Sequence, residues 1–192
     1  ERLAGDPPVR ELLTALEGLA VVGDGRERAA LERLLQSDGL AEPLKVAAAS
    51  TLGQLVDSGL EDLATQIRQQ NLPQRDLIAA HLLDRHATPE AKKIVLDILA
   101  GKNHPAQVKS YATLVTIDPE SARQQAESLM KHPDNSMRHQ VVQVLNRLDD
   151  EASLRLQAEL MQDVNFDIRC TVRENLAQKA QLASLQPIVD SV

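Results

Sequence analysis

Aromatic side chains are nearly absent: the 192-residue chain holds one Tyr, one Phe and no Trp. Sheets favour aromatic and β-branched residues, so a core built almost wholly from small aliphatics suits closely packed helices. Cysteine is as scarce. Cys170 alone excludes an internal disulfide, which fits the cytosol first and a bridge-free periplasmic protein second. No apolar run approaches the roughly 20 residues that span a bilayer, and no signal peptide opens the sequence. Positive charge is in deficit, with 21 Lys and Arg against 28 Asp and Glu and a net charge of −7. Nucleic-acid binding needs a basic footprint that displaces counterions, and anionic membranes attract basic segments. Neither partner is expected. Glu1 stands in place of a start Met, which reads as a trimmed or mature segment and leaves the compartment open.

What the chain does have is a repeated helix start. Asp6-Pro7-Pro8-Val9-Arg10 offers an Asx cap, prolines where no N–H is needed, an aliphatic residue and a base. Softer copies follow at Pro43-Leu44-Lys45, Asn71-Leu72-Pro73-Gln74-Arg75, Gln107-Val108-Lys109, Asp134-Asn135-Ser136-Met137-Arg138 and Asn165-Phe166-Asp167-Ile168-Arg169. The bases fall at 10, 45, 75, 109, 138 and 169, so the spacings are 35, 30, 34, 29 and 31. A period near thirty marks a repeat array.

Between these starts the apolar residues keep a helical period. Leu12, Leu13, Leu16 and Leu19 stripe a helix over 8–22, stopped by Gly23-Asp24-Gly25. Helices follow over about 26–37, 42–57, 60–70 and 74–86. Thr88-Pro89-Glu90 and Asp118-Pro119-Glu120 are cap-plus-proline starts. Val141, Val144, Leu145 and Leu148 make a strong later stripe, then helices follow over 150–162 and from Asn165. Leu182, Leu185, Ile188 and Val189 begin a further helix or a frayed cap. No alternating strand pattern occurs.

Overlaid on the bases, the copies agree. Three residues on, all six positions are apolar: Leu13, Ala48, Ile78, Ala112, Val141 and Val172. The preceding position is apolar in all but Gln74, and seven residues on the exceptions are Glu17 and Thr116. Paired helices, an Asx-x-x-apolar-base opening of the second helix and this period resemble HEAT repeats of the short bacterial type. Tetratricopeptide repeats fit less well, since their aromatic signature positions are missing. The resemblance implies an all-α, right-handed α-solenoid forming one domain over 1–192. One unpaired helix (8–22) precedes five antiparallel pairs at about 26–57, 60–86, 88–117, 118–148 and 150–180, with a tail at 181–192. Because the first copy opens a second helix, part of the array is expected upstream.

The chemistry-bearing residues favour structure over catalysis. The six bases beside Asp6, Asp38, Asp134 and Asp167 read as staples of inter-repeat turns rather than a ladder for an acidic ligand. His81 with Asp84 at helical spacing could begin a metal site, but no second His or Cys cluster accompanies it. Cys170 has no base near in sequence, and Asp149-Asp150-Glu151 sits where acids cap a helix. No phosphate-binding glycine loop is present. Neither catalytic residues, a metal nor a cofactor are expected.

The expected function is a non-enzymatic scaffold that binds another protein on the concave face lined by second helices. The helical wheel places Asp76, Ser110, Leu114, His139, Gln143, Asn146 and Glu174 on that face. A HEAT-like lyase or DNA-repair-type enzyme is the alternative from a different class. A spacer or docking module of a larger multidomain protein is the third reading.

Overall fold

The computed structural model describes residues 7–37, 39–56, 58–148 and 150–189, with side chains for 9–180 of these. Asp6, Asp38, Asp149 and the side chains of the 181–192 tail lie outside the described residues. The described chain is all-helical: α1 (Pro7–Val22), α2 (Arg28–Gln36), α3 (Glu42–Leu55), α4 (Glu61–Gln69), α5 (Arg75–Leu82), α6 (Pro89–Leu99), α7 (His104–Ile117), α8 (Pro119–Leu129), α9 (Asn135–Leu148), α10 (Glu151–Leu160) and α11 (Phe166–Val189).

Some of the expected starts carry side-chain caps, while α3 and α5 begin behind Ala41 and Gln74 with none, so Asn71 does not cap α5. Asn103 is a cap not read from the sequence. Thr88 Oγ1 accepts from the Ala91 N–H at 3.1 Å, Asn103 Oδ1 from Ala106 at 3.2 Å and Asp150 Oδ1 from Ser153 at 2.9 Å. Two ends differ from expectation. α5 stops at Leu82 instead of 86, because the chain tightens into turns and His86 tucks inward, 1% exposed, with its Nε2 2.9 Å from the Val56 carbonyl. No break occurs near 181, and α11 runs on to Val189.

The helices gather into two compact units, Glu1–Asp118 and Pro119–Val192. In the first unit α2 packs on α3, α4 on α5 and α6 on α7, while α1, α3, α5 and α7 pack each on the next. Its core holds Leu31, Leu35, Leu52, Ile67, Ile78 and Leu82, each 2% exposed or less. In the second unit α8 packs on α9 and α10 on α11, and α9 packs against α11. Met137, Val141, Leu145, Ile168 and Val172 fill its core. Burying one such aliphatic side chain contributes about 1.5–3 kcal/mol.

Burial corrects the register of α7. In α3 the buried residues are Leu44, Lys45, Ala48, Ala49, Thr51 and Leu52, followed by Gly53. In α9 they are Met137, Arg138, Val141, Val142, Val144 and Leu145, the same offsets from the base. Counted from Lys109, α7 breaks this pattern: Val108 and Ala112 are only half-buried and Thr116 is exposed. Counted from Gln107 it fits, with Ala106, Ser110, Tyr111, Thr113 and Leu114 buried. The side-chain bonding agrees. Arg138 Nη1 donates to the carbonyls of His132 and Pro133 at 2.8 and 3.1 Å. Arg169 Nη1 does the same to Asp163 and Val164, at 2.7 and 3.1 Å. Gln107 Nε2 donates to the Leu99 and Gly101 carbonyls, both at 3.0 Å. An amide thus replaces a guanidinium at this step. The repeat positions become 10, 45, 75, 107, 138 and 169, and the last three spacings even out to 32, 31 and 31.

Candidate partner-binding face

The seven residues expected on the binding face divide between the units and between fates. Ser110 and Leu114 are fully buried, which corrects their assignment. The physical reason is the shifted register: from Gln107 they occupy core positions. Asp76 is half-buried and accepts from Arg68 Nε at 2.9 Å. Arg68 also donates to Asp97 at 2.6 Å. Burial weakens the Arg68 cation, but the bonds to Asp97 and Asp76 outweigh this and raise its pKa. Asp76 is therefore a strut between α4, α5 and α6 rather than a free ligand group. In the second unit Gln143 and Glu174 are exposed and His139 is half-buried. The backbone carbonyl of Asn146 accepts from Lys179 Nζ at 3.1 Å, while its side-chain Oδ1 is buried without a partner.

The first unit has a groove of about 380 Å³ across its second helices. Glu17, Ala20 and Val21 of α1 form one wall; Pro43, Val46, Ala47, Ser50 and Gln54 of α3 form the other. Val21 is 83% exposed, an apolar side chain left in water beside the groove. Thr51 and His81 complete the lining. Thr51 Oγ1 donates to the Leu16 carbonyl at 3.0 Å and so ties α3 to α1. Val46 and Ser50 are half-buried and stand one and five residues after Lys45, the offsets of His139 and Gln143 from Arg138.

His81 joins the groove lining from α5. Its Nδ1 is buried with no hydrogen-bond partner. Burial, then the nearby Lys109 charge, push its pKa down to about 4, against a smaller opposing pull from Asp84. The ring is neutral at physiological pH. Lys109 itself is engaged: its Nζ lies 2.6 Å from Asp84 Oδ1, which also accepts from Thr113 Oγ1 at 2.9 Å. Among the described residues no group of three or more His, Cys, Asp or Glu is placed to hold a metal ion. Cys170 is half-buried, and Asp150 is spent capping α10 while holding Arg123 at 2.6 Å.

Among the described residues no helix is long and apolar enough to cross a membrane. No protein-family model and no curated protein matches the chain.

Proposed function

We propose that the chain is a HEAT-type right-handed α-solenoid that acts as a non-enzymatic scaffold and binds another protein through its second-helix face. The observation that carries this reading is the register shared by α3, α7 and α9, whose buried residues keep the same offsets in three of the helix pairs. Copied pairs of this kind offer a rigid extended surface and are used mostly for binding. The groove lined by Val21, Val46, Ala47 and Ser50 supplies apolar contact with polar positions beside it, which suits a peptide segment of a partner. In the second unit the second helices carry Gln143 and Glu174 exposed and His139 half-buried. Fewer observations support the DNA-repair-type alternative. A base-stacking platform uses several exposed aromatic rings; Tyr111 is 0% exposed, and Phe166, 64% exposed with Arg169 over its ring, stands alone.

The test is affinity capture from the native lysate with three baits: the wild-type chain, Val46→Glu with Ser50→Glu, and His139→Glu with Gln143→Lys. All three must first give the same helical melting curve. A protein retained by the wild type and lost from one variant supports the scaffold. Co-purification of a chromophore or nucleic acid with no protein, or a protein held equally by all three baits, overturns it.

A further inference from the structure

In the second unit the first helices α8 and α10 border a groove of about 440 Å³. Met130, Leu156 and Leu160 give it aliphatic surface, and Glu127 and Glu159 line it with acid. Asp163 lines it too, but Arg138 holds that carboxylate. α8 and α10 carry two acids each. The first of each has a base within its own helix: Glu120 meets Arg123 and Glu151 meets Arg155. The second of each, Glu127 and Glu159, is exposed, and its side chain enters no ion pair among the described residues. Lys131 shares the lining without bridging to either.

The first unit shows what such a groove takes. Its first helices α4 and α6 border a groove of about 510 Å³. Ile94 supplies aliphatic surface there, with the acid Asp97 one turn on. Arg68 of α4 lines the same groove and donates from Nη2 to Asp97 at 2.6 Å. The two grooves correspond position by position. Buried Ala64, Val95 and Ile98 have buried counterparts 62 residues later in Ala126, Gln157 and Leu160. By the same offset Ile94 becomes Leu156 and Asp97 becomes Glu159, so the aliphatic residue and the acid are both kept. Arg68 becomes Met130, and Thr65 becomes Glu127. The second unit thus keeps the acid of the pair, adds another beside it and lacks the base.

We infer that the groove between α8 and α10 is a binding site for an arginine side chain on a basic segment of a protein partner, seated as Arg68 is seated in the first unit. The aliphatic stem covers Met130, Leu156 and Leu160, and the charged head meets Glu159 with Glu127 beside it. A guanidinium suits the site better than an ammonium, because its planar fork donates in two directions at once. The net charge of −7 draws a basic segment towards the chain. The site lies on first helices, so it is separate from partner binding on the second-helix face and does not depend on it.

The probe is an acetylated, amidated peptide, Ala-Arg-Ala-Arg-Ala, titrated into the intact chain at low salt and followed by methyl NMR. The methyls of Met130, Leu156 and Leu160 are expected to shift and to saturate at about millimolar peptide. Glu127→Gln with Glu159→Gln, both at exposed positions, should weaken binding about tenfold. The same peptide with citrulline for arginine, which keeps the shape and loses the charge, should bind equally weakly. Met130→Arg should restore the missing base within the chain, pair with Glu159 and block the peptide. Absence of methyl shifts, equal binding of the citrulline peptide, or binding untouched by the double glutamine variant or by Met130→Arg overturns the inference.

Discussion

Arg138 Nε and Nη2 donate to the two carboxylate oxygens of Asp163 at 2.7 and 3.0 Å, and the paired side chains are only 9% and 4% exposed. The same guanidinium holds two carbonyls of the turn before α9, and Asp163 Oδ1 accepts the Asn165 N–H at 2.7 Å. One residue pair thus pins the start of α9 to the turn that opens α11. Each guanidinium nitrogen and both carboxylate oxygens have a partner, so the buried charges are compensated rather than merely enclosed.

Removing one partner leaves the other buried. Asp163→Ala is expected to lower the stability of the second unit by about 3 kcal/mol, read as a shift in denaturant midpoint. An unshifted midpoint would show that the pair contributes nothing net.

The pair also sets an acid limit. The bond from Arg138 holds the Asp163 carboxyl below the ordinary carboxylate range, against burial, with the Asn165 N–H helping. On acidification the unfolded chain therefore takes up a proton before the folded one. The stabilisation is complete above the unfolded value near pH 4 and is lost as pH falls through the folded pKa. Asp163→Asn should flatten the stability profile below about pH 4; a profile parallel to wild type would contradict this.

His81 acts in a higher window. Its folded pKa of about 4 lies below the unfolded value near 6.5, so between those limits only the unfolded chain is protonated. Stability should fall as pH drops from about 6.5 towards 4. His81→Gln should remove that part of the slope, and the His81 ring signals should titrate near 4 by NMR. Titration near 6.5 would mean that the ring is solvated.

The α7 register separates two substitutions cleanly. Leu114→Ala should cost about 2–5 kcal/mol, the range for emptying a packed core site. Val108→Ala, at a half-buried position, should cost far less. Gln107→Ala should cost about 1 kcal/mol through its two lost carbonyl bonds. Equal melting temperatures for Leu114→Ala and wild type would restore the register counted from Lys109.

Two helical glycines should respond with opposite signs. A Cβ at Gly53 of α3 would meet the carbonyl oxygens of His81 and Leu82 in α5, the latter at 2.8 Å. Gly53→Ala must force those backbones apart, at a cost of about 1–3 kcal/mol. Gly18 in α1 has nothing within 4 Å. There Gly18→Ala should stabilise by about 0.5–1 kcal/mol, since alanine loses less entropy in a helix. Thermal melts of the two variants give the comparison directly.

The sequence by itself determined the helices, their starts and the unit of repetition. Caps, prolines and a 3.6-residue apolar period act within a few residues of one another, so they are legible along the chain. Thr88 and Asp150 cap where the pattern placed a helix start. The exposed or buried fate of Ser110 and Leu114 was not legible, because it depended on which residue filled the staple position. Lys109 looked like the base, yet Gln107 reaches the carbonyls that arginines hold elsewhere. That choice is made by two residues of helical rotation, and only the packing of α7 on α5 and α6 fixes it. The neutral state of His81 and the close approach at Gly53 have the same origin. Both arise between helices distant in sequence, where burial and backbone contact are properties of the packed unit rather than of any local run of residues.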